Sequence, residues 1–193
     1  MKRIHKKDEI IQAGLDIIHS KGFNGTGIDA ILKQANVPKG SFYNFFASKE
    51  EFGLAVIDLY LSEMAALRQP AMEDLSLPPL MRIRKSFEAL IARFESNSCS
   101  KGCLVANLSL EMSDQSEAFR TRLDTALQGW TGALAAILTT AREQGTLRLN
   151  IEPMVLAESL VSAFEGALLR AKVKKSAEPL KNFIHLYFEV FLA

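Results

Sequence analysis

Residues 26–49, TGIDAILKQANVPKGSFYNFFASK, decide how the rest of the chain is read. Ile28, Ile31, Leu32 and Ala35 recur at helical spacing while Asp29, Lys33 and Gln34 fall on the other side, which predicts a short helix that buries one face. Thr26 stands just ahead of it as an N-cap, and Gly27 has no side chain to keep a phosphate from the free N–H groups of the helix start. Asn36-Val37-Pro38 then breaks the periodicity. The residue before a proline is pushed out of helical geometry, whereas proline itself suits the first turn of a new helix.

The second predicted helix, Lys39 to Phe46, is short and polar on one side, and that side is a candidate reading head. Lys39 can pair with a phosphate and Gly40 permits close backbone approach. Ser41, Tyr43 and Asn44 offer hydrogen bonds to phosphates or to base edges in a major groove. Phe42, Phe45 and Phe46 are expected to anchor the helix to a core. A merely packed aromatic helix is the plain alternative, but it does not account for the Pro-Lys-Gly-Ser start. Ser48 follows as the cap of a long helix with Glu50 and Glu51 in its first turn, and Lys49 is placed to hold another phosphate.

VPKGSFYNFFASKEEF closely resembles the helix-turn-helix signature of the TetR family of bacterial transcriptional regulators. GCLVANLSLEMSDQSEAFR and EGALLRAK resemble the NemR and AcuR type within that family, which responds to reactive or unsaturated small molecules. The resemblance implies an all-α chain: a three-helix helix-turn-helix DNA-binding domain over residues 1–48, then a helical ligand-binding and dimerisation domain over 49–193. It also implies a homodimer, a double-stranded operator and a small-molecule or electrophile effector, with repression as the mode of action.

Composition agrees with this division. A chain of 193 residues, 48% hydrophobic, is long enough for a DNA-binding domain of about 50 residues plus a larger body with its own core. Residues 1–50 carry eight Lys or Arg against five Asp or Glu, so the basic excess hidden in a net charge of +1 sits with the helix-turn-helix. A charge run alone is usually a solvated face; it supports nucleic-acid binding here only together with the motif. No run of 18 apolar residues occurs and MKRIHKKDEIIQ lacks the apolar stretch of a signal peptide, so the expected location is the cytoplasm, with no membrane partner.

Lys2, Arg3, Lys6 and Lys7 read either as an arm that touches phosphates or as a plain basic terminus. From Asp8, the recurrence of Ile10, Ile11, Leu15, Ile17 and Ile18 predicts a helix ending at Gly22. His5 and His19 have no metal-ligand spacing, and no metal or cofactor motif is present. The helix beginning at Ser48 is expected to run toward Pro70 and to join the two domains. A Pro-containing linker and a helix over about 80–95 follow.

Cys99 and Cys103 are separated by three residues without nearby histidines, a poor zinc site, and the expected compartment disfavours a structural disulfide. Cys103 stands where a new helix should start, beside Lys101, and both surroundings favour a nucleophilic thiolate. The alternative is a small buried residue opening a packed helix. In NemR-type regulators the sensory cysteine lies in a matching Gly-Cys-Leu context, which the resemblance carries to Cys103.

A long helix over about 117–144 carries Trp130, which either walls a ligand pocket or fills core. The next two helices, over about 153–174 and 179–191, are apolar enough to expect a two-fold dimer joined by a four-helix bundle, and hence a palindromic operator. Arg170 and Lys172 point in different directions; one can face inward toward an anionic ligand or Cys103, or both can be solvated charges at a helix end. Against an electrophile-responsive regulator stand a regulator with a purely non-covalent ligand, a thiol-based peroxidase-like enzyme using Cys103, and a helical interaction module. The thiol enzyme lacks an acid–base partner in the sequence near Cys103, and neither it nor the module uses the helix-turn-helix.

Overall fold

The computed structural model describes residues 2–147 and 149–192, and of residues 2–5 and 39 the backbone alone. Among these residues the regular structure is helical throughout. The elements are α1 (Lys2–Lys21), α2 (Ile28–Gln34), a 3₁₀ segment (Lys39–Asn44), α3 (Lys49–Glu73), α4 (Pro79–Ser96), α5 (Leu104–Met112), α6 (Glu117–Glu143), α7 (Pro153–Lys174) and α8 (Glu178–His185). A π-helical turn, Leu186–Phe191, continues α8.

The chain packs as two compact units, one of Met1–Glu63 with Leu104–Thr125, the other of Met64–Cys103 with Ala126–Ala193. These are units of packing rather than of role, and α3 and α6 each pass from one to the other.

In the first unit, α1 stops at Gly22, whose φ of +80° is open to glycine and strained for other residues. Ile31 and Leu32 of α2 are buried, as their spacing predicts. Phe42, Phe46 and Phe52 form a closed aromatic group with centroids 5.1–5.5 Å apart, two of the three pairs edge-on as ring quadrupoles favour. Phe42 and Phe46 are thus the anchors expected of them, while Phe45 is only half-buried. Gly53 lets Phe23 and Phe119 close on α3; a Cβ there would lie 2.5 Å from each ring. At the start of α3 the Ser48 hydroxyl accepts the Glu51 N–H at 3.0 Å, and the Glu51 carboxylate accepts the Ala47 N–H at 2.7 Å. This reciprocal arrangement follows from Ser-x-x-Glu and satisfies otherwise orphaned donors.

Three details differ from expectation. α1 begins at Lys2 rather than Asp8, because nothing in the intervening run breaks a helix and Lys and Arg are good helix formers. α3 does not end at Pro70 but continues to Glu73, giving up one backbone hydrogen bond within the helix. The segment after Pro38 is a 3₁₀ helix of six residues, tighter than the α-helix expected.

The second unit has its own apolar core, built by Ile83, Phe87 and Ile91 of α4, Leu134 and Leu138 of α6, Leu160 and Phe164 of α7, and Leu180 and Phe183 of α8. Phe87 is its hub, with Phe164 and Phe183 at 4.9 and 5.0 Å and Trp130 at 5.9 Å. Gly145, at φ +66°, ends α6 as expected. Between α4 and α5 the backbone is left-handed at Ser98, Cys99, Lys101 and Gly102, three of them non-glycine, so the approach to Cys103 is a strained loop.

Candidate functional site

The candidate reading face takes its shape from the tightness of the 3₁₀ segment. In such a helix residues three apart eclipse, so Gly40 aligns with Tyr43 and Ser41 with Asn44. Burial of Phe42 and Phe46 turns Tyr43 and Asn44 outward; Tyr43 is 68% exposed, its ring held edge-on by Phe42 at 5.4 Å. Ser41 is half-buried. Gly27 and Gly40 have open space where a Cβ would stand, so each leaves the backbone accessible. The side chains of Lys39, Lys2 and Arg3, expected at phosphates, lie outside the described residues. Lys6 is exposed, while the Lys7 ammonium lies 5.2 Å from the Phe46 ring centroid.

Two residues expected on this face make hydrogen bonds within the turn behind it. Thr26 is 1% exposed and its hydroxyl donates to the Gly22 carbonyl at 2.6 Å; the cap position of α2 belongs to Gly27. The hydroxyl finds a local carbonyl first, which closes the α1–α2 turn. Lys49 donates to the Phe23 carbonyl at 2.7 Å and lies 4.4 Å from the Phe23 ring centroid, a geometry set by burial beneath the turn rather than by solvent. Burial lowers its pKa and the Glu111 carboxylate opposes that shift.

Glu111, which the sequence offers only as a polar interruption of an apolar helix, completes the arrangement. Its carboxylate accepts the Phe23 N–H at 2.9 Å and the Asn24 N–H at 2.6 Å. The backbone of the turn is therefore held from both sides, its N–H groups by Glu111 on α5 and the Phe23 carbonyl by Lys49 on α3. Gly22 is part of the fit, because a Cβ there would lie 2.7 Å from a Glu111 oxygen.

A second cluster lies within the other unit. Cys103 is half-buried directly ahead of α5, and its thiol hydrogen-bonds the Glu165 carboxyl of α7. Burial pushes the Glu165 pKa up to about 7, against the Cys103 hydrogen bond and the Arg68 charge, which both hold it down. The Arg68 guanidinium stacks over Trp130 at 4.8 Å from the ring centroid. Trp130 packs against Phe87 and Phe164, so it fills core, yet its Nε1 is buried without a hydrogen-bond partner among the described residues. An orphaned indole N–H beside ionisable groups is a donor open to a small polar ligand. Arg170 is exposed and Lys172 half-buried. Cys99 packs against the apolar core.

Sequence reasoning missed Glu165 and Arg68, although a signal existed: each is the only charge in a largely small or apolar run, VSAFEGALL and MAALRQPAM. Isolated charges in apolar stripes are seldom left there without a partner.

Residues 10–56 match the family model described as bacterial regulatory proteins, tetR family, and residues 79–187 match the tetracyclin repressor-like C-terminal domain. The chain is 33% identical over 192 residues to the HTH-type transcriptional repressor DhaR of Mycobacterium sp. (strain GP1), covering 100% of this chain and 95% of DhaR. It belongs to the TetR family. Within that family it is 38% identical over 183 residues to the transcriptional regulator AcuR of Cereibacter sphaeroides, covering 95% of this chain and 84% of AcuR. The crystal structure of reduced E. coli NemR is similar in fold, with a TM-score of 0.81 and 33% identity over 96% of this chain and 97% of that one. TetR-family regulators bind DNA operators and dimerise, and ligand-responsive repression is typical of them. No helix among the described residues is long and apolar enough to cross a membrane.

Proposed function

We propose that this TetR-family regulator is a cytoplasmic repressor that leaves a palindromic operator when Cys103 is modified by a small unsaturated carbonyl compound or an oxidant. The observation that carries the reading is the half-buried Cys103 thiol beside Glu165, with Arg68 over Trp130, a polar cluster against the core of the second unit. Gly27, Gly40, Ser41, Tyr43 and Asn44, with Lys39, supply the operator contacts; Thr26 and Lys49 shape the turn behind them. Residues 1–48 serve as the DNA-binding domain and 49–193 as the regulatory and dimerisation domain. Leu169 and Val173 of α7 and Val190 and Phe191 after α8 are half or more exposed, which supports a dimer joined through these helices. Modification shifts the population toward a spacing of reading heads that no longer fits two half-sites.

A non-covalent effector is the second reading, favoured by the orphaned Trp130 Nε1 and the neighbouring Arg68 charge. Operator binding on DNA from the protein's own upstream region, with and without methyl vinyl ketone or hypochlorite, separates the two. Release of wild type but not of Cys103→Ser is expected. Equal release of both removes the thiol mechanism and directs attention to Trp130, Arg170 and Lys172.

A further inference from the structure

We infer that the indole N–H of Trp130 is a recognition site in its own right: it donates a hydrogen bond to the oxygen of a small, uncharged carbonyl compound, saturated or not. The inference rests on the reading that this chain responds to a small molecule, and it names the chemistry recognised without requiring any reaction at Cys103. Trp130 lies on α6 and packs against the core of the second unit, with Phe87 at 5.9 Å and Phe164 at 6.0 Å from its ring, the latter pair edge-on. Its Nε1 is buried and has no hydrogen-bond partner among the described residues. The residue as a whole keeps some exposure, so the ring stands between the apolar core and the surface.

A buried N–H without an oxygen acceptor costs free energy in the folded state, and that cost is recovered by whatever brings an acceptor to it. The aromatic neighbours are at best weak π acceptors and do not compete with an oxygen. Arg68 adds to the donor strength: its guanidinium carbon lies 4.8 Å from the indole centroid, and a cation over the ring draws electron density from it and makes the N–H a better donor. The two effects call for an acceptor atom on a compact, largely apolar body that can lie against Phe87 and Phe164. A ketone or aldehyde oxygen meets both demands. It only accepts, so it brings no donor that would need a partner, as an alcohol does. It also sheds water at far lower cost than a carboxylate does on entering an apolar site.

The chain has one tryptophan, so a ¹H–¹⁵N spectrum of the full-length protein contains one indole signal, which reports on this N–H directly. The probe is cyclopentanone, which has no C=C for a thiol to add to, with cyclopentane and propionate as the companions that lack the carbonyl or carry a charge. The expected result is a saturable downfield displacement of the indole proton by cyclopentanone, with a Kd of about 1–10 mM for so small a ligand. The same displacement is expected in Cys103→Ser, and none with cyclopentane. Trp130→Phe, followed by saturation transfer to cyclopentanone, should weaken binding at least about fivefold. An indole signal that does not respond to cyclopentanone, an equal response to cyclopentane, a response to propionate alone, or loss of the response in Cys103→Ser each overturns the inference. Should Trp130→Phe fail to fold, the wild-type spectrum alone decides. Operator release keeps this claim apart from the reading it rests on. An indole displacement by cyclopentanone without release of operator by any carbonyl compound sinks the effector reading only. Release by carbonyl compounds with an unmoved indole signal sinks the Trp130 assignment only.

Discussion

Replacing Glu111 with alanine removes the acceptor that holds two N–H groups of the α1–α2 turn. A hydrogen bond to a charged group contributes about 1.5–3 kcal/mol, but the two lost bonds are not equal. Asn24 is exposed, so water takes over there and the net loss is small. Phe23 is 6% exposed and locked between Gly53, Lys49 and Phe119, so its N–H has little access to a replacement partner. An unsatisfied donor of that kind costs about 1–3 kcal/mol, which together with the weaker Asn24 loss places Glu111→Ala at about 2–4 kcal/mol of destabilisation. For a chain of this length that corresponds to a fall in melting temperature of roughly 4–16 °C. Operator affinity falls as well, because the turn sets where α2 and the segment after it stand. Urea unfolding followed by circular dichroism, with operator titration by fluorescence anisotropy, reads both effects. Gln115→Ala is the control: its side chain accepts from the exposed Asn24 amide at 3.1 Å, and its loss should cost less than about 0.5 kcal/mol. A Glu111→Ala protein no less stable than this control refutes the reasoning.

Gly53→Ala should destabilise by about 1–3 kcal/mol, since its Cβ would meet two ring atoms that are themselves packed; denaturant melts check this, and a neutral result would show that the rings can yield. Gly40→Asp, at a position with open space, should leave the melting temperature within a few degrees of wild type but weaken operator binding by about tenfold or more through charge repulsion with phosphates. Glu165 predicts a pH dependence of stability. Its folded pKa of about 7 lies above the ordinary 4.5, so the folded state holds the extra proton between these values. The contribution is complete below about 4.5 and is lost as pH rises through 7, by up to about 3 kcal/mol, and Glu165→Gln should flatten that decline in urea midpoints measured from pH 4.5 to 8.

Local chemistry in one dimension settled a large part of this protein. Periodicity placed the helices, Val37-Pro38 separated α2 from the reading segment, Ser48-x-x-Glu51 marked the start of α3, and Gly22 and Gly145 marked helix ends. Each of these signals depends on residues within four positions of one another, which is why they are legible without a fold. Even the outward turn of Tyr43 between buried Phe42 and Phe46 follows from spacing. The contacts that sequence does not announce share a different cause. The sequence offers Lys49 only as a candidate phosphate clamp; its bond to the carbonyl of Phe23, 26 residues earlier, is supplied by the fold. Glu111 reads as a polar interruption of an apolar helix until the Phe23 and Asn24 N–H groups, 88 and 87 residues away in the chain, are brought to it. Glu165 and Arg68 meet Cys103 and Trp130 only because α7 and the parts of α3 and α6 that carry Arg68 and Trp130 belong to the same unit. Helix type and helix ends are short-range properties of the backbone, written locally in the sequence, whereas the partner of a buried charge is chosen by whichever distant group folding delivers within hydrogen-bonding reach.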